Sequence, residues 1–500
     1  MAAGLSISNG VSVPIRQVPD LALYEFRQWV IGETKTGARL VALYGQPADD
    51  GDIRLLAVLA RDNQAMLLLA STRVGQSYPA LTPDCVQAHW FEREIAEQWN
   101  VSPQGHPWLK PIRFHAPYGA AGAESRDIVP GQTDFFRVAG EDIHEVAVGP
   151  VHAGVIEPGH FRFQCHGEQV LHLEISLGYQ HRGVESALVG GPDKRTIHYL
   201  ETAVGDTSIG HTMAYCQALE SLTKCPVPPR ALALRGIALE LERLANHVGD
   251  LGALAGDVAY LPTASYCGRL RGDFLNMSAL ICGNRMGRGL VRPGGSGFDI
   301  DDALIEQLQQ RLDTASTDLT SAVNLLWDSS SVLSRFEDTG KISASLCTEL
   351  GLVGPAARAC GFGRDVRVDF PAGVYCLAPI PVSTADSGDV FARAYVRWLE
   401  AQRSIEFIRM QLQTLPQGSV RAAMNGIASD MLVVTLVEGW RGEVCHVATT
   451  DSQGLFAHYK IIDPSFHNWM GLALAMRDEQ ISDFPLCNKS FNLSYCGHDL

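Results

Sequence analysis

Hydrophobic positions along the first ~115 residues fall in short, dense runs. "ARLVALYGQ" and "DIRLLAVLAR" predict strands, with turn residues between them. "PDCVQAHWFEREIAEQW" has the spacing of a helix, and its charges read as a solvated face, with Arg93 between Glu92 and Glu94. From Tyr118 to Glu145 periodicity lapses into Gly, Ala, Ser, Asp and Pro, which predicts a linker. "FRFQCHGEQVLHLEISLGY" alternates like a hairpin that turns at "HGE". Helical periodicity dominates from Lys194 to about Ser334 and returns over Val390 to Leu415. The strand-rich "MLVVTLVEGWRGEVCHVATTD" follows. "VGDTSIGH" with "TMAYCQALE" opens a helix, with Asp206, Thr207 and Ser208 as N-cap candidates and an amphipathic run after them. The expected fold is α+β. A small α/β domain spans 1–117 and a linker 118–146. A mainly helical domain with flanking β-sheet segments spans 147–500.

Composition narrows the class. With 19% charged and 46% hydrophobic residues in 500, the chain is globular. A net charge of -15 argues against nucleic acid or an anionic lipid surface as the main partner. No run of 18 apolar residues exists to span a bilayer, and the N-terminus shows no apolar core of a secretory signal. The 12 cysteines are scattered and none forms a C-x-x-C. They read as reduced, mostly buried thiols, with no disulfide framework and no self-contained zinc or iron–sulfur site. Cys487 and Cys496 read first as small buried hydrophobes, with a residual metal or redox role as the alternative.

Two blocks carry a resemblance. "WFEREIAEQWNVSPQGHPWLKPIRF" resembles the signature of the 30-kDa subunit of respiratory complex I through Glu92, Arg93, Glu94, Gly105, His106, Pro107 and Leu109. Glu97 and Trp99 stand at its Asp and Phe positions, and Lys110-Pro111 replaces Arg-Arg. "GPVHAGVIEPGHFRF" with "LGYQHRGVE" resembles the 49-kDa subunit of complex I. It is more similar still to the large subunit of group 4 membrane-bound [NiFe] hydrogenases such as formate hydrogenlyase. "ELERLANH", "GLVRPGG" and "VEGWRGEVCH" extend the likeness over most of 147–500.

In those hydrogenases two C-x-x-C pairs hold nickel and iron, since thiolates suit soft metals. Counting back from His211, the first pair falls on Val204 and Thr207. The C-terminal pair falls on Ser494 and Gly497, with Cys496 one step aside. The resemblance therefore implies a lost nickel–iron site. The chain also stops at Leu500, at the motif's end, where such hydrogenases commonly carry a removable extension. For a quinone, His160 or His152 matches the family's headgroup histidine, while the tyrosine position falls on Gly205, which cannot donate.

The resemblance gives roles to other residues, each with a plainer alternative. His181, Arg182 and Glu185 match a segment beside the small iron–sulfur subunit, or form a surface salt bridge. Arg243 and His247 share a helix face, and His247 either lies beside the partner's terminal [4Fe–4S] cluster or is a satisfied core residue. Glu157 is suited to proton passage, or caps a turn. Arg441 and Glu443 belong near the active cavity, or make a strand-edge pair.

The implied protein is the large subunit of a redox complex related to energy-converting hydrogenases, peripheral on the cytoplasmic face of the membrane. Its expected partners are a small iron–sulfur subunit resembling the 20-kDa subunit of complex I and antiporter-like membrane subunits, with no nucleic acid. An active oxidoreductase, as hydrogenase or quinone reductase, is the alternative, and a purely structural scaffold is the third reading.

Overall fold

The computed structural model describes residues 4–48, 51–118, 129–153 and 155–500. Helix makes up 44% and strand 19%, so the fold is α+β as expected. Residues 119–128 of the expected linker lie outside the described residues.

The first sheet is antiparallel, in the order Leu5–Ile7, Met66–Val74, Ile53–Arg61, Arg39–Pro47. Leu40 to Tyr44 and Leu55 to Ala60 are buried on both faces. The Leu23–Lys35 helix packs on the sheet, and the His89–Trp99 helix and the Phe456–Ile462 strand lie against Arg39–Pro47. That double cover is why these strands read as unbroken apolar runs, where a half-exposed antiparallel sheet would alternate.

The hairpin His160–His166 / Gln169–Ser176 forms as expected. A third strand, Ile143–Val148, joins it from within the segment read as linker. Its "IHEVAV" alternation is too short to stand out beside its glycine- and acid-rich surroundings. The third sheet runs Phe456–Ile462, Gly442–Thr450, Met431–Gly439, and ends on Val13–Pro14. The start of the chain thus pairs with its distal part, and Gly10 N donates to Val434 O at 2.9 Å beside that strand.

The Pro229–Asp257 helix is the axis of the helical part, packed by Leu261–Cys282 and Val390–Gln413. It is buried around most of its circumference, as a core helix should be. Among the described residues no helix is long and apolar enough to cross a membrane.

Two local expectations are corrected. Ser208–Thr223 is not amphipathic: nearly all of it is buried. Its start is not side-chain capped by Thr207. Glu242 from the central helix accepts from Ile209 N at 2.7 Å and Gly210 N at 3.1 Å instead. The Glu92-Arg93-Glu94 triplet is not a solvated face either. Glu92 accepts from Leu81 N (2.7 Å) and Thr82 N (2.9 Å). Arg93 donates to Lys110 O (2.8 Å) and Pro111 O (2.9 Å), and Glu94 meets Arg113 and Lys460, each at 2.5 Å.

Candidate functional site

A two-residue turn, Trp440-Arg441, links the Met431–Gly439 and Gly442–Thr450 strands, with Gly439 paired to Gly442. Gly442 has φ +134°, and a Cβ there would lie 2.8 Å from Gly354 Cα, so only glycine closes this hairpin against its neighbour. The turn aims Arg441 at two loops. Its guanidinium grips the Asp206 carboxylate at 2.6 and 2.8 Å, reaches Thr207 Oγ1 at 3.4 Å, and donates to Asn492 O at 2.5 Å. It also stacks on Trp440 at 3.9 Å, and the Trp440 indole donates to Asp206 O at 3.0 Å. One arginine therefore ties the 204–207 loop to the C-terminal segment. A bidentate, planar pair of this kind fixes orientation as well as charge.

Across the clamp, a Cβ at Gly497 would sit 2.6 Å from Asp463 Cγ. The Asp463 carboxylate occupies the space a side chain at 497 would need. Asp463 accepts from Ser465 N at 2.9 Å and from His211 Nε2 at 3.1 Å. His211 Nδ1 meets His446 Nε2 at 3.1 Å, and His446 Nδ1 meets the Tyr459 hydroxyl at 2.9 Å. Burial holds His446 well below its ordinary value, so it is neutral, and burial pushes the Tyr459 hydroxyl up, so it keeps its proton. The tautomers then follow from the network: Tyr459 donates to His446, His446 Nε2–H to His211, and His211 Nε2–H to Asp463. Burial would raise Asp463, but His211 outweighs it and the carboxylate stays below its usual range.

Ser494 Oγ accepts from Gly497 N at 2.9 Å and caps the short Tyr495–His498 helix. Cys496 N donates to Glu157 at 3.2 Å, and Gln180 Nε2 donates to the same oxygen at 2.7 Å. Asp499 accepts from Gly178 N (2.8 Å) and Gln180 N (3.0 Å). His181 contacts Asp499 O at 3.2 Å, while Arg182 donates to Thr202 O (2.9 Å) and Ala203 O (2.6 Å). The fold therefore gathers Glu157, His181, Arg182, Arg441 and the positions Val204, Thr207, Ser494 and Gly497 around one junction. A cavity of about 280 Å³ opens beside it, lined among others by Glu157, Asp206, Asp250, Arg271, Arg441 and Lys489.

Other sequence candidates lie elsewhere. Glu443 pairs with Arg39 at 2.8 Å, facing the N-terminal sheet, so Arg441 and Glu443 make no strand-edge pair. Glu185 binds Ile461 N (2.9 Å) and Lys460 (3.0 Å) inside the core. His160 contacts Gly149 O at 3.3 Å and accepts from Arg162 at 3.2 Å, and the cavity wall includes neither it nor the exposed His152. His247 is 0% exposed and bonds Glu400 at 2.8 Å. Burial lowers its pKa. His181 is pushed down to about 4, first by burial and then by Arg113, so of His181 and Arg182 only Arg182 carries charge at neutral pH. Cys487 and Cys496 are buried, with burial raising both thiols.

The sequence offers Asp206 only as an N-cap candidate and does not single out Asp463. Asp206 carried a signal: an acid between two ligand positions calls for a cation. Asp463 carried none, because its role depends on the absence of a side chain at 497.

A nickel–iron centre would need thiolates at the four positions. They carry an aliphatic group, a hydroxyl held by Arg441, a hydroxyl capping a helix, and a glycine whose side-chain space is filled. This donor set does not fit that centre.

Residues 257–431 match the family described as "Respiratory-chain NADH dehydrogenase, 49 Kd subunit". The chain is 32% identical over 350 residues to the carbon monoxide-induced hydrogenase of Rhodospirillum rubrum, covering 70% of this chain and 97% of that protein. It is 28% identical to formate hydrogenlyase subunit 5 of Escherichia coli (strain K12), over 84% of this chain and 76% of that one. NADH-quinone oxidoreductase subunit 4 of Thermus thermophilus is 27% identical, over 68% of this chain and 90% of that one.

Proposed function

The chain belongs to the family of large subunits shared by membrane-bound hydrogenases and complex I-type oxidoreductases, and from that premise we propose that it is the large subunit of a redox complex working without a nickel–iron centre. Its part in that complex is to shape the cavity under Arg441, beside the terminal [4Fe–4S] cluster of a small partner subunit. The observation that carries this reading is the Asp463 carboxylate in the side-chain space of Gly497.

In this role the Arg441–Asp206 clamp closes the floor of the cavity and keeps the two former ligand loops at a fixed separation. Glu157, held by Cys496 N and Gln180, presents a carboxylate at the cavity wall that can pass a proton. The half-buried 178–182 segment is the surface offered to the small subunit, with Arg182 exposed there. Residues 1–117 dock neighbouring subunits and 118–146 connect them to 147–500. The complex sits on the cytoplasmic face of the membrane, over antiporter-like subunits, and couples change at the cavity to ion movement.

Elemental analysis of the purified intact complex tests this. Iron from the partner's cluster is expected with nickel far below one per chain, and without hydrogen uptake. One nickel per chain together with hydrogen uptake overturns the proposal and restores an active hydrogenase.

A further inference from the structure

Behind the Trp440 turn lies a buried ionic cluster that the cavity does not use. Arg243, Arg358 and Arg367 face Glu240, Asp365, Glu400 and Glu438, all 3% exposed or less. Glu438 Oε1 pairs with Arg358 at 2.8 Å, Arg358 with Glu400 at 2.7 Å, and Glu400 with His247 at 2.8 Å. Arg367 bridges Asp365 (2.6 Å) and Glu240 (3.2 Å), and Arg243 joins Glu240 at 3.1 Å. Three guanidiniums thus meet four carboxylates. Among the described residues no further lysine or arginine lies within ion-pair distance of these four carboxylates; Arg364 pairs with Asp62 at 3.3 Å, and Lys489 joins Arg397 on Asp250 at 3.5 Å. Arg397, near Glu400, is paired with Asp250 at 2.8 Å, and Arg39 with Glu443, the residue opposite Glu438 across the strand pair. A buried carboxylate without a full counter-charge takes up a proton.

Geometry also provides a route to one of the four. Glu438 lines a cleft of about 20 Å³ together with Met213, Gln217, Ala372 and Tyr375. Those four residues also line an open cavity of about 420 Å³. On its other side Glu438 borders a cleft of about 10 Å³ with Arg39, Asp369 and Glu443. Each cleft has room for about one water, and both are polar on one wall. Glu438 accepts two bonds, from Arg358 at 2.8 Å and from Val366 N at 3.0 Å, whereas Glu240 takes bonds from Arg243, Arg367, Tyr375 and Ser404.

We propose that Glu438 is a proton-loading site, which exchanges one proton with solvent through the cavity beside Gln217 and Tyr375, and that His247, across the Arg358–Glu400 bridge, is the alternative seat for that proton. On release, the Glu438 O–H bond breaks and the proton passes to water, leaving a carboxylate. Glu438 and His247 thus compete for one proton: His247 Nδ1, which has no hydrogen-bond partner among the described residues, holds it in the minor form in which Glu438 is ionised, and neither holds it above the inflection. The site stands on this cluster alone, so failure of the proposed complex role leaves it intact. Burial, then Asp365, pushes Glu438 up to about 7 against the opposing Arg358, whereas Glu400 is held well below the carboxylate range by Arg358 and His247 despite burial.

The test is infrared difference spectroscopy of the full-length protein from about pH 5 to about pH 9, a span containing both the ordinary and the raised carboxyl value. A carboxylic-acid carbonyl band that titrates near neutral pH is expected in the wild type and is lost in Glu438→Gln. Glu242, pushed up to about 8, and Asp369, pushed up to about 6, contribute bands common to both proteins, so the difference isolates Glu438. The ¹⁵N signal of His247 should carry the same inflection in the wild type and lose it in Glu438→Gln. Stability gives an independent sign. Because the folded carboxyl value exceeds the unfolded one, the native state binds more protons between them. Wild-type stability attributable to Glu438 therefore falls as pH rises from about 4.5 to about 7, and this fall is missing in Glu438→Gln. Should Glu438→Gln not fold, Glu438→Asp keeps the acid on a shorter stem and is expected to shift the band. A wild type without the band, or a band unchanged in either variant, overturns the proposal.

Discussion

Glu94→Ala is expected to lower folded-state stability by about 3–5 kcal/mol, the usual cost of removing one partner from a buried ion pair. Glu94 is 0% exposed and meets Arg113 and Lys460, each at 2.5 Å. Glu185 adds a second carboxylate, at 3.0 Å from Lys460 and 3.7 Å from Arg113. Two acids and two bases are balanced in a buried space between the N-terminal unit and the Phe456–Ile462 strand. Removing Glu94 leaves two buried cations facing one carboxylate. The midpoint of urea unfolding, against wild type, reads the loss. Glu94→Gln separates charge from volume and should still lose most of it. Burial would raise the Glu94 pKa, but Arg113 and Lys460 outweigh burial and hold it below its ordinary value. A depressed folded pKa means the stabilisation is fully present above the unfolded value of about 4.3 and is lost as pH falls through the folded value. The gap between wild type and Glu94→Gln should therefore be flat at neutral pH and close in acid. A variant with wild-type stability would show that this quartet carries no net stabilisation.

Gly497→Cys, the first step toward rebuilding a thiolate site, is expected to destabilise by about 1–3 kcal/mol, as overpacking does in a closed core. The new Cβ would fall 2.6 Å from Asp463 Cγ and 2.7 Å from Oδ1. Asp463 cannot retreat without breaking its bonds to His211 and Ser465 N. Those bonds order the row from Tyr459 to Asp463, so the strain spreads beyond one contact. Gly497→Ala should show nearly the same cost, because the clash is at Cβ and not at sulfur. Adding Asp463→Gly to Gly497→Ala should cost less than the sum of the two separate losses, because the clash is relieved, while leaving the protein below wild type, because His211 has lost its acceptor. Differential scanning fluorimetry on the set reads the order. If Gly497→Ala is neutral, the 497 position is free, and the argument against a metal ligand there fails.

How much of this was legible in the sequence depended on what each signal encodes. Ile53–Arg61 was readable because burial on both faces makes an unbroken apolar run, and helices such as Val390–Gln413 because burial imposes a helical period. Val13–Pro14 was not, since two residues carry no period and their partner lies far along the chain. The same limit explains the Glu92-Arg93-Glu94 triplet. Charge density usually marks a wet face, and only the long-range partners Thr82, Lys110, Arg113 and Lys460 make these residues core. At the junction, the family resemblance named Val204, Thr207, Ser494, Gly497 and Arg441, and the fold brings these positions into one neighbourhood. The resemblance could not place Glu443 on the opposite side of its strand from the junction, nor reveal that His247 sits behind Trp440 in a cluster of its own.

The pairing of Val13–Pro14 with Met431–Gly439 also sets an order on synthesis. Asn9 bonds Leu436 O at 3.1 Å across 427 residues of chain. At ~5–20 residues per second, the ribosome needs roughly 20–90 s to supply that partner. Through that interval the N-terminal sheet can form while Val13–Pro14 waits for its strand partner. The strand that closes the third sheet is made long before its partner and is late to find its place, so completion of the hairpin that aims Arg441 doubles as a signal that translation has passed it.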